Sequence, residues 1–141
     1  MLRRCSAGQG GTSVEAEDGK SGVERQGEDT SRVIQRMDAA LRLAELRFAE
    51  GASAEESIGA TMEALGQAVD VPAEVFVRMS PQSMVGLLEM TGSDERVLSK
   101  VAEALMLQSE VFMAEGSLIE AGARREQANA VLESIDPLQA N

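Results

Sequence analysis

The sequence predicts an all-α fold, a compact bundle of about six helices in which two helical hairpins are joined by short helices. Three observations carry this. Apolar residues recur at helical spacing from Ile34 onward. Three Phe and no Trp or Tyr leave a core of Leu, Val, Ile, Ala and Met, side chains that suit helix-on-helix packing. No run of β-branched or aromatic residues alternates with polar ones, which argues against a sheet.

Residues 1–30 are rich in Gly, Ser, Glu and Gln, with Leu2, Val14 and Val23 as the sizeable hydrophobes after Met1. Such a segment buries too little to offset its ordering entropy and reads as a disordered tail. A single helical domain over 31–137 follows, with 138–141 as a C-terminal end. Helix one begins after Thr30 or Ser31, either of which suits a cap. Ile34, Met37, Leu41, Ala44 and Phe48 form its stripe, widened by Leu43 and Leu46, and Gly51 sits just past its end. Ser53 and Glu56 have capping-box spacing at the start of helix two, whose stripe is Ile58, Met62, Leu65 and Val69.

Pro72 ends helix two and opens a short helix to Met79, with Val75, Phe76 and Met79 facing inward. Ser80-Pro81 starts another, to Met90, with Met84, Leu87 and Leu88 as its apolar face. Helix five runs from Ser93 or Asp94 to Glu115, with Leu98, Val101, Leu105 and Phe112 in period. Gly116 stops it, and Ser117 with Glu120 offers a second capping box for helix six. Ala121, Ala128, Leu132 and Ile135 give the last stripe, and Pro137 closes it. Helix, Gly51, Ser53-x-x-Glu56, helix, Pro72 thus repeats as helix, Gly116, Ser117-x-x-Glu120, helix, Pro137.

Composition narrows the function classes. The chain has 24 acidic against 13 basic residues, a net charge of −11. Nucleic acid and anionic membrane are disfavoured partners, because phosphate contacts need a basic patch. Histidine is absent, which removes the commonest general acid/base and neutral metal ligand. The one cysteine, Cys5, forms no internal disulfide and fits a reducing cytoplasm. Arg3 and Arg4 are not followed by an apolar run, so no targeting signal is expected, and no stretch reaches membrane-spanning length. With one Cys and no His, thiolate and imidazole zinc sites are excluded; a carboxylate-only Mg²⁺ or Ca²⁺ site is the alternative left, but no EF-hand spacing appears, and no metal or cofactor is expected. Glu55-Glu56 and Asp94-Glu95 fall in first helical turns, where the macrodipole accounts for them. The Gly8-Gln9-Gly10-Gly11 run lacks the context of a phosphate loop and reads as linker.

From Ala102 to Pro137 the chain resembles a tetratricopeptide repeat. Leu105, Ser109, Phe112 and Gly116 stand at that family's large, small, aromatic and turn positions. Ala121, Ala128 and Pro137 stand at the small and closing positions of its second helix. Gln108 and Arg125 depart from it, replacing an apolar and an aromatic residue, and the second helix is about one turn too long. Met37–Pro72 matches loosely. Residues 32–137 also resemble a bacterial family of unknown function, through the order of elements and a run from Ala102-Glu103-Ala104-Leu105 to Glu115-Gly116. That resemblance implies a fold and no catalytic residues.

Four residues are candidates for partner binding: Met106, Met113, Arg124 and Arg125. Gln108 and Arg125 lie on stripes expected to face each other, and a buried arginine needs a partner. Arg125, with Arg124, is therefore a candidate holder of an anion or peptide carboxylate. The alternative is that Arg125 extends past the core edge to a glutamate such as Glu103. Met106 and Met113 lie seven apart, off the main stripe of helix five. They line either a pliable partner groove or a second packing face. The expected function is a non-catalytic protein–protein interaction or scaffold module in the cytoplasm, whose partner is another protein or a second copy in a homodimer. The alternative is a helical bundle that binds a small molecule.

Overall fold

A computed structural model describes residues 22–135, with side chains from Thr30 onward. Cys5, the glycine run at 8–11, the rest of the tail through residue 21, Pro137 and the end at 138–141 lie outside the described residues. The chain divides into two units, Met1–Ser31 and Arg32–Asn141. The packing described below is that of the second.

Six helices, α1 (Gly22–Ala49), α2 (Ala54–Val69), α3 (Ala73–Phe76), α4 (Pro81–Thr91), α5 (Glu95–Glu115) and α6 (Leu118–Ile135), make an all-α bundle with no strand among the described residues. Helix α1 begins at Gly22, upstream of the Thr30 and Ser31 caps expected from the sequence. No proline interrupts this stretch, and its Glu, Arg and Gln residues carry good helix propensity. Met37, Leu41 and Ala44 are buried as the stripe predicts, whereas Leu43 and Leu46 are exposed rather than widening it.

The corners follow local chemistry. Gly51 (φ 87°) and Gly116 (φ 89°) adopt the left-handed conformation that ends a helix without Cβ strain. Ser53 Oγ accepts from the Glu56 N–H at 3.1 Å, and the Glu56 carboxylate accepts from the Ser53 N–H at 3.3 Å, completing the first capping box. At Ser117 the second box does not form: its carbonyl accepts from the Ala121 N–H at 3.0 Å, and no side-chain cap accompanies it among the described residues. A carboxylate from the other hairpin strengthens the first corner instead. Glu115 Oε2 accepts from the Ala54 N–H at 3.2 Å, placing negative charge at the positive end of α2.

Asp70 (φ 62°) caps the end of α2, and its N–H donates to the Gly66 carbonyl. Helix α3 is shorter than expected. Phe76 and Val77 are buried while Val75 is exposed. Ser80 and Asp94 cap α4 and α5 through their side chains, and Pro81 sits in the first turn of α4. Helices α5 and α6 pack together most extensively; α6 also packs on α4, and α2 on α5 and α3.

Candidate functional site

Helix α5 occupies the middle of the bundle and buries residues around most of its circumference, from Val97 to Val111. Three features arise around it: a buried polar network toward α2 and α6, a groove toward α1, and an uncovered apolar face on α6.

The network starts at Gln108, which is fully buried. Its Nε2 donates to Thr61 Oγ1 at 2.9 Å, and Thr61 Oγ1 donates to the Ile58 carbonyl at 2.7 Å. Its Oε1 accepts from Arg124 Nε at 2.8 Å. Arg124 Nη1 reaches the Val77 carbonyl at 3.5 Å, and the guanidinium carbon lies 5.4 Å from the centroid of the Phe112 ring. Gln127 Nε2 donates to the carbonyls of Val77 at 2.7 Å and Met79 at 2.9 Å. Burial lowers the Arg124 pKa, and the nearby Glu120 charge acts the other way. Among the described residues no carboxylate pairs with Arg124 within 4 Å, and neutral acceptors and an aromatic face hold this cation. Ser57 Oγ and Gln127 Oε1 are buried with no hydrogen-bond partner among the described residues.

This geometry corrects the expected facing pair. The residue opposite Gln108 is Arg124, 9% exposed, and Arg125 points to solvent. The inward line of α6 runs Ala121, Arg124, Ala128, Val131, so Leu132, expected inside, is exposed at 43%. Val131 and Leu132 are adjacent apolar residues, and placing the larger one inside shifts the arginine by one position. Glu103 pairs with Lys100 at 3.7 Å and not with Arg125.

The groove lies between α1 and α5. Leu41, Met106 and Leu107 make its floor; Asp38, Glu45, Glu103 and Glu110 flank it, with Arg42. Lys100 Nζ bonds Asp38 Oδ1 at 2.7 Å, and this bond raises the lysine pKa. Met106 is half-buried, packs against the core and lines the groove. Met113 is 49% exposed at the other end of α5 and does not line this groove. The four sequence candidates therefore do not converge: Arg124 is inside, Met106 in the groove, Met113 and Arg125 at the surface.

The uncovered face belongs to α6 and its corner. Leu118 is 62% exposed and Ile119 86%, with Leu132 about four turns along and Met113 before the corner. The stripe Ala121, Ala128, Leu132 and Ile135 leaves out Leu118 and Ile119, which follow directly on Ser117. Two large apolar residues directly after a cap were the available signal.

Among the described residues no group of three or more His, Cys, Asp or Glu is placed to hold a metal ion. No helix among them is long and apolar enough to cross a membrane. Comparison with family models, curated proteins and solved structures finds no match for this chain.

Proposed function

We propose that the chain is a non-catalytic protein–protein interaction module of the cytoplasm, built from helical hairpins and resembling a tetratricopeptide repeat in the second. One observation supports the reading: the last hairpin leaves Leu118, Ile119 and Leu132 uncovered along one helix. Covering a large aliphatic side chain contributes about 1.5–3 kcal/mol, so the adjacent exposed pair Leu118 and Ile119 at the corner is a natural seat for another polypeptide. The partner is another protein or a second copy of the chain.

The test pairs size-exclusion light scattering with affinity purification from the native cell, using the natural chain and a Leu118→Asp/Ile119→Asp variant. Both side chains are exposed, so the variant keeps the fold. The expected result is a dimer mass or a recovered partner that the variant loses. A strictly monomeric chain that recovers nothing overturns the reading.

A further inference from the structure

We infer that the groove between α1 and α5 takes a basic amphipathic helix of a protein partner, an assignment that rests on the interaction reading and adds the partner's chemistry. Asp38, Leu41, Arg42 and Glu45 on α1 are spaced i, i+3, i+4 and i+7, and so are Glu103, Met106, Leu107 and Glu110 on α5. Each set is one surface stripe. The Lys100–Asp38 bond brings the first ends of the stripes together. Seven residues at the helical rise then put Glu45 and Glu110 about 10 Å further along. The groove thus has an apolar floor with carboxylates at both ends.

The two ends differ in charge balance. At the first, Lys100 bridges Asp38 at 2.7 Å and Glu103 at 3.7 Å. At the second, neither Glu45 nor Glu110 has an ion-pair partner among the described residues, and Arg42 pairs with neither. An occupant that complements this groove presents apolar side chains to Leu41, Met106 and Leu107 and a cation to Glu45 and Glu110. A helix with an apolar stripe and lysine or arginine at the end that meets Glu45 and Glu110 reproduces that arrangement. The half-buried Met106 adapts to the side chain it meets.

The probe is a fluorescein-labelled amphipathic peptide of about 18 Leu, Lys and Ala residues, long enough to hold a helix on binding. Its control is a scrambled peptide of the same composition. Fluorescence anisotropy on the full chain is expected to show the patterned peptide binding and the scrambled one binding more weakly. Glu45→Lys/Glu110→Lys is expected to weaken the patterned peptide by about tenfold or more, through like-charge contact. The charge-matched pair Glu126→Lys/Glu133→Lys on the exposed side of α6 is expected to leave it nearly unchanged. All four positions are exposed, so circular dichroism is expected to show folded variants. Equal weakening by both variants, equal binding of both peptides, or no binding to the natural chain overturns the assignment. A chain that fails these tests but still loses a partner with Leu118→Asp/Ile119→Asp keeps the interaction reading. A chain that recovers no partner loses that reading as well.

Discussion

Replacing Gln108 by leucine tests whether the buried network is held by its cation. The side chain keeps its approximate volume, so the change isolates hydrogen bonding from cavity formation. Two bonds disappear: the donation to Thr61 Oγ1 at 2.9 Å and the acceptance from Arg124 Nε at 2.8 Å. The first is neutral and contributes about 1 kcal/mol, while the second involves a charge and contributes about 1.5–3 kcal/mol. Thr61 keeps its bond to the Ile58 carbonyl and is not orphaned. Arg124 is left with the long 3.5 Å contact to Val77 and the face of Phe112, in a place where burial already disfavours its charge. A loss of about 3 kcal/mol is expected for Gln108→Leu. Arg124→Met alone is expected to cost about 1–3 kcal/mol, since Gln108 Oε1 is then buried unpaired. The double variant removes both sides of the interaction and is expected to cost about 1 kcal/mol, well below the sum of the singles. Urea denaturation followed by circular dichroism gives all four stabilities. Single-variant costs that add to the double within about 0.5 kcal/mol, or a Gln108→Leu cost below about 1 kcal/mol, refute the coupling.

The corners separate two serines that look alike in sequence. Ser53→Ala removes a formed capping box and is expected to cost about 1 kcal/mol, while Ser117→Ala, without a side-chain cap, is expected to stay within about 0.5 kcal/mol in the same urea assay. Ser57→Ala deletes a buried hydroxyl with no partner and is expected to leave the thermal midpoint unchanged or raised; a clear drop contradicts the accounting. The pH dependence has a sign at each end. The hydrogen bond to the Arg96 side chain lowers the Asp94 pKa, so its stabilisation is present above the unfolded carboxylate value and is lost as pH falls through the folded one. The Asp38 bond raises the Lys100 pKa, so that contribution is full below 10.5 and is lost as pH rises through the folded value. Asp94→Ala is expected to flatten the acid limb of a stability–pH curve and Lys100→Met the alkaline limb.

What the sequence made legible is what neighbouring residues decide by themselves. Gly51 and Gly116 end helices because a left-handed residue without Cβ is needed there. Ser53 with Glu56, and Ser80 with Pro81, mark starts through bonds closed within a single turn. Tertiary choices were less readable. Ser117-x-x-Glu120 has the spacing of a capping box, yet the bond does not form there. Glu115 caps α2 from the other hairpin, a contact that spacing does not encode. Leu43 and Leu46 fit the helical period of α1 and still face outward, because periodicity does not say how wide a stripe the neighbouring helices cover.

Helix α6 shows why the candidate site was the hardest part to read. Its inward line includes Arg124 and Gln127, and its exposed residues include Leu118, Ile119 and Leu132, so polarity does not identify the buried face. Geometry identifies it instead. Ala121 and Ala128 admit the close approach of α5, with Ser109 Oγ donating to the Ala121 carbonyl at 2.8 Å; Arg124 and Arg125 both lie a helical step from these alanines, and the buried Gln127 and Val131 put Arg124 on the inward line. An inverted helix of this kind carries cost on both sides, a desolvated cation within and wetted aliphatic groups without. The network offsets the first. Nothing among the described residues covers the second, and a docked polypeptide is the physical means of covering it.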